Sequence, residues 1–144
     1  SNPMATGREN TQLGLSTGED TASGSKFLMD DEHVIFDEVI ILAATRDSKR
    51  TPTTVLEPGL ALKKGTGGYT HVTNGTDTTS ARRILHNNNL PLNIARGQQR
   101  ARTVLHGYVD RANVRDTAGT AIDSTGRTGL SSGANGCGIM FGNE

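Results

Sequence analysis

The feature that most limits what this chain can fold into is its punctuation between residues 50 and 76. Pro52, Pro58-Gly59, Gly65-Thr66-Gly67-Gly68 and Asn74-Gly75 fall so close together that no helix of ordinary length fits between them. Short strands joined by turns do fit. Leu60-Ala61-Leu62 is a short apolar piece leading into a turn at 63–68, and Tyr69-Thr70-His71-Val72-Thr73 alternates. Asn74-Gly75 is the strongest two-residue hairpin signal in the chain. Further on, residues 103–109 (TVLHGYV) read as a strand, with Gly107 where backbones approach closely, and 138–142 (GIMFG) as a closing strand. Residues 76–102 are polar, with Ile84, Leu85, Leu90, Leu92 and Ile94 as intermittent anchors, and 116–138 read as a Gly, Ser and Thr loop.

Upstream of this region lies the richest apolar run, residues 27–46 (FLMDDEHVIFDEVIILAATR). Its β-branched and aromatic residues favour strand. A helix stays open as the alternative, since Asp30, Asp31 and Glu32 suit its start, Arg46 its end, and Ile35, Val39 and Leu42 would share one face. The expected fold is therefore mainly β, a small barrel-like domain over 27–144 with long loops.

Residues 1–26 (SNPMATGRENTQLGLSTGEDTASGSK) form an extended N-terminal arm in this reading. They carry too little apolar surface to offset their own ordering entropy, so the arm orders where a partner pins it. Its candidate attachment segment is Asn10, Thr11, Gln12, Leu13, Gly14 and Leu15, with the two leucines as anchors. A short docked strand is the alternative role.

Composition points towards assembly. Only 33% of residues are hydrophobic, with no Trp, three Phe and two Tyr against 18 Gly, so a lone copy is expected to have a thin core. Domains short of core gain stability from disulfides, metals or partner subunits. The single Cys137 excludes an internal disulfide and a cysteine-based zinc site, and reads as a small packing residue. Partner subunits remain. Lys plus Arg and Asp plus Glu both total 15, which argues against global attraction to nucleic acid or to an anionic membrane. No stretch is apolar enough to span a bilayer, and 1–30 lack a secretory apolar region, so synthesis in a cytoplasm is expected.

Catalytic patterns do not survive inspection. Gly129-Leu130-Ser131-Ser132-Gly133 matches G-x-S-x-G, but a nucleophile elbow needs a strand before it, a helix after it and a later His, and no His follows Ser131. Ser23-Gly24-Ser25-Lys26 matches S-x-x-K without its companion K-T-G. His33, His71, His86 and His106 show no metal-ligand spacing, and Asp30, Asp31, Glu32, Asp37 and Glu38 lack the calcium-loop pattern. No cofactor, metal or catalytic residue is assigned. The basic stretch Arg96, Arg100, Arg102, Arg111 and Arg115, with Arg82 and Arg83, offers only Tyr108 as an aromatic platform for nucleic acid. Its expected use is charge complementarity with acidic region 30–38 across a subunit or shell interface. Asn74-Gly75-Thr76 is formally a glycosylation acceptor, but its turn role explains it.

The stretch 54–65 (TVLEPGLALKKG) with Gly67-Gly68-Tyr69-Thr70-His71-Val72, then 104–110 (VLHGYVD) and 138–142, resembles the lambda-type tailed-phage head decoration proteins. The likeness runs in order over roughly residues 50–142, apart from a long polar insertion at 76–102. It implies a β-tulip domain that decorates the outer surface of the virion capsid as a homotrimer, bound to the major capsid protein and cementing the mature shell. Another virion component, a minor capsid or tail protein, is the alternative. The composition is also similar to that of trimeric dUTPases, small β enzymes with a Gly-rich C-terminal arm, but no matching uracil-pocket or metal-binding Asp motif is present.

Overall fold

The β-branched run after Val34 forms strand β1 (Ile35–Ile41). Strands β2 (Val55–Leu56), β3 (Ala61–Gly65), β4 (Gly68–His71), β5 (Ala81–Leu85), β6 (Leu92–Asn93), β7 (Gln99–His106) and β8 (Tyr108–Asp110) follow in order. Helix α1 (Ser124–Ser131) and strand β9 (Met140–Gly142) complete the set, with single 3-10 turns at Thr78–Ser80, Asn87–Asn89 and Arg111–Asn113. This computed structural model describes residues 27–30, 32–132 and 138–142. The candidate arm segment Asn10–Leu15 and Cys137 lie outside the described residues.

Five strands close into a barrel in the order β1-β4-β3-β5-β7. β1 and β7 run antiparallel along their full length, from Ile35 opposite His106 to Ile41 opposite Gln99, with a register shift after Ile35. The seam between β1 and β4 is parallel and short: Ile41 partners Tyr69, and the Leu42 N–H donates to the Tyr69 carbonyl at 2.8 Å. The mainly β, barrel-like expectation therefore holds. A two-stranded β2–β6 ribbon and the parallel pair β8–β9 sit outside the barrel order.

Successive side chains of a strand face opposite sides of a sheet. In β3, Ala61 and Leu62 are both fully buried, yet they belong to different apolar clusters, and the same is true of Ile84 and Leu85 in β5. Both faces of this part of the wall are thus covered. One cluster joins Leu62 and Leu85 to Val39, Ile41 and Ala101 of the barrel and to Leu56, Leu92 and Ile94 around the β2–β6 ribbon. The other gathers Ala61, Ile84 and Val104 with Phe27, Val109, Ile122, Leu130 and Ile139. Aliphatic residues supply most of the core, as the scarcity of aromatics requires.

Three local expectations are corrected. Asn74-Gly75 makes a turn, with the Thr76 N–H on the Thr73 carbonyl, but it is not a two-residue hairpin: β5 pairs with β3 and β7 instead of folding back on β4. The hairpin lies earlier, where Gly65 partners Gly68 around Thr66-Gly67. Residues 76–102 are not an inserted loop, because they hold β5, β6 and the start of β7; of their intermittent apolar residues Ile84, Leu85, Leu92 and Ile94 are core, while Leu90 is exposed. The expected loop at 116–138 contains α1. Its composition is poor for helix, but Asp123 caps it by accepting the Gly126 N–H at 2.8 Å, and Leu130 is fully buried. At Gly129 a Cβ would lie 2.8 Å from the Thr79 carbonyl, so glycine lets the helix approach that backbone. Packing overrides propensity here. Among the described residues no helix is long and apolar enough to cross a membrane.

Candidate interaction surfaces

The first described residues belong to a sheet. Phe27 is fully buried, and its carbonyl accepts the Asp110 N–H at 2.7 Å. The Met29 N–H donates to the Tyr108 carbonyl at 2.9 Å, and Leu28 bridges Val109 in antiparallel sense. Residues 27–29 thus line β8. Met29, Ile35 and Met140 keep about half of their surface exposed in this part of the molecule, with Met140 the register partner of Tyr108. A thin core that needs partner subunits leaves apolar surface to look for on the strands at 103–109 and 138–142. It is found at Met140, while Val104 and Val109 are core.

The acidic and basic regions meet, but within one chain. The antiparallel β1–β7 register places Glu38 opposite Arg102, and Arg100 Nη1 stands 3.8 Å from Glu38 Oε1. Arg83 Nη2 donates to Asp37 Oδ2 at 3.1 Å, and the Arg102 guanidinium lies 4.5 Å from the centroid of the Phe36 ring. Cross-strand neighbours of opposite charge stabilise a sheet. These groups serve the barrel wall, a role that strand pairing, invisible in the linear sequence, assigns to them.

Arg115, read as part of a basic surface, is instead 4% exposed. Its Nη1 and Nη2 donate to Asp47 Oδ1 and Oδ2 at 2.7 and 3.1 Å, and Nη2 also reaches the Glu57 carbonyl at 2.9 Å. Asp47, with no exposed surface, further accepts the backbone N–H groups of Lys49 and Glu57. The Glu57 carboxylate is also fully buried, with Arg50 Nε 3.0 Å from Oε2 as an ion pair that lacks hydrogen-bond geometry. Two buried carboxylates thus face two guanidinium groups. Together they pin the loop between β1 and β2, whose residues 48–53 are all exposed. Lys49 in this loop has its pKa lowered, chiefly by partial desolvation of its ammonium against the network and then by Arg115.

The histidines scatter. His33 Nδ1 meets Asp30 Oδ2 at 2.8 Å, and Asp30 Oδ1 accepts the Glu32 N–H, so both Asp30 oxygens are engaged. The His33 bond first, and the Glu32 N–H second, hold the Asp30 carboxyl below its usual range. Ligand-type atoms of Asp30, Glu32 and His33 lie within 4.8 Å of one another, a grouping the sequence reading did not foresee; exposed acidic groups cluster in this way without an ion, and no metal is assigned. His71 Nδ1 accepts the Arg46 N–H at 3.0 Å, and its pKa is lowered chiefly by burial, with Lys63 and Arg46 adding to that effect and Asp77 and Asp116 opposing it. The His86 ring, 6% exposed, packs against Phe36 and Phe27 at centroid distances of 4.6 and 6.2 Å. Ser131 ends a helix, whereas a nucleophile elbow begins one, and its Oγ donates to the Ile139 carbonyl at 2.7 Å.

Two features were not legible beforehand. Asn87, Asn88 and Asn89 all take positive φ, at 41°, 56° and 64°, and the turn they build presents Leu90 with 57% of its surface exposed. Between α1 and β9 lies an open cleft of about 630 Å³, with Arg127, Thr128 and Ser131 on the helix side and Ile139, Met140 and Phe141 on the strand side. No protein-family model, curated protein or solved structure matches the chain.

Proposed function

We propose that this chain is a capsid decoration protein: it binds the outer surface of a mature tailed-phage head as a homotrimer and stabilises the shell, without catalysis. The reading begins from the resemblance of residues 54–72, 104–110 and 138–142 to the lambda-type decoration proteins. The observation that carries it is the way the chain enters the barrel domain. Buried Phe27 and the sheet bonds of residues 27–29 to β8 anchor the chain to the barrel domain at residue 27, the point from which an arm that grips a shell subunit through residues 10–15 would start.

A ligand that binds the assembled shell and not its separated subunits stabilises the shell by mass action, about 2.7 kcal/mol per site at a hundredfold excess over Kd. Repetition over many sites and bridging of adjacent subunits multiply that effect. Imaging of virions from the genome that encodes this chain tests the reading. The expected result is density for the barrel on the outer surface at local three-fold positions. Density confined to a portal or tail would favour a minor capsid or tail component instead.

A further inference from the structure

The barrel closes through its shortest seam. β1 and β4 share a single register pair, Ile41 with Tyr69, whereas β1 and β7 share seven. Beyond Ile41 the chain leaves strand geometry but stays beside β4 through side chains. Thr45, with no exposed surface, holds its hydroxyl 3.4 Å from the Tyr69 carbonyl and 3.3 Å from Thr70 Oγ1. The Arg46 N–H then donates at 3.0 Å to Nδ1 of His71, the last residue of β4. On its other side the Arg46 carbonyl accepts the Thr117 hydroxyl at 2.8 Å. The imidazole thus offers the Arg46 N–H an acceptor where regular strand pairing has already stopped.

Only an unprotonated ring nitrogen accepts an amide N–H, so this bond requires the neutral imidazole with its proton on Nε2. A proton on Nδ1 would set two N–H groups against each other across 3.0 Å. The charges around the ring do little to accommodate that proton. Lys63 from β3 and Arg46 itself are cations. The anions near it are Asp77 and Asp116. Asp77 already accepts the Lys63 ammonium and the Thr73 N–H, and Asp116 accepts the N–H groups of Asn74, Ala118 and Thr120. A protonated His71 is therefore accommodated best once the Arg46 segment has moved away.

We propose that His71 is a proton-operated latch on the closing seam: a proton on Nδ1 frees the Arg46 N–H and lets residues 42–46 lift from β4. The opening is bounded on both sides. Upstream, β1 stays paired with β7 as far as Ile41, and downstream the buried Asp47–Arg115 pair holds the chain. What the latch uncovers is the edge of β4 at Thr70 and His71. The device depends on neither the shell nor the oligomeric state.

Hydrogen exchange of the native full chain, followed residue by residue by NMR, is the test. A ring that takes its proton only in the open form, at the ordinary pKa of 6.5, raises the open fraction about tenfold between pH 7.5 and 5.5. The protection factor of the Arg46 amide, which is already corrected for intrinsic exchange, should fall by that factor. Low urea should leave it unchanged, because a local opening exposes little surface. In His71→Asn, which keeps a side-chain acceptor, the fall should vanish. Arg46 protection that stays the same at both pH values in the wild type would overturn the latch. A fall that persists in His71→Asn would do the same. So would Arg46 exchange as urea-dependent as that of the β7 amides, since the opening would then be global unfolding.

Discussion

Replacing Asp47 by Ala tests how much of the fold hangs on the buried ion network. The substitution removes both carboxylate acceptors of the Arg115 guanidinium, at 2.7 and 3.1 Å, and also the acceptors of the Lys49 and Glu57 N–H groups. Arg115 keeps the carbonyls of Glu57 and Pro58, but its charge would be left 4% exposed beside no carboxylate that hydrogen-bonds it. Breaking a buried pair from one side costs about 3–5 kcal/mol, whereas replacing both partners with apolar groups is often close to neutral. A domain of this size has about 5–15 kcal/mol in total, so the single variant forfeits a large share. At about 3–4 °C per kcal/mol the melting temperature should fall by roughly 10–20 °C. Urea unfolding followed by circular dichroism measures the loss. A cycle with Arg115→Met and Asp47→Leu isolates the coupling, and the double variant should be more stable than Asp47→Ala. A loss under about 1 kcal/mol for Asp47→Ala would refute the claim that this network holds the β1–β2 loop.

Other outcomes follow from the same structure. Deleting residues 1–26 leaves Phe27 and both apolar clusters in place, so the melting temperature should hardly move while occupancy on shells falls sharply; unchanged occupancy would exclude the arm as the attachment device. His71 is held below its ordinary pKa of 6.5, so the unfolded chain binds its proton more readily; stability from this group is present above 6.5 and is lost as pH falls through that value. His71→Asn, which keeps an acceptor near Arg46, should flatten that part of the stability profile between pH 7.5 and 5.5, as read by urea midpoints. Burial opposes ionisation of Asp77 and Asp123, but their bonds outweigh it: Lys63 and the Thr73 N–H for Asp77, the Gly126 N–H and Thr78 hydroxyl for Asp123. Both are thus held below the ordinary Asp value of 3.8, so a second loss of stability should begin as pH falls towards it, and Asp123→Asn should weaken that step.

Much of the β architecture was legible because it is written in local chemistry. Pro and Gly mark the breaks before β3 and β4, β-branched residues build β1, and Gly107 separates β7 from β8. What could not be read was pairing. Glu38 and Arg102 are 64 positions apart, and nothing local says that they become neighbours instead of facing another subunit. Arg115 looked like surface because its partner Asp47 is 68 residues away. Helix α1 was hidden by Gly126 and Gly129, which are unfavourable in isolation yet allow close contact with 78–80. The left-handed Asn turn does have a sequence signal, three consecutive Asn, but their shared conformation depends on His86 and Leu90 being held in place.

The central claim, that this chain cements a shell, is tested most directly by heating mature capsids and following DNA release. Capsids stripped of the protein, and the same capsids decorated again to full occupancy, form the comparison. The account predicts that redecoration raises the rupture temperature in proportion to occupancy, and that immature shells, whose subunits lack their final spacing, neither bind nor gain. Equal rupture temperatures with and without full occupancy would contradict it.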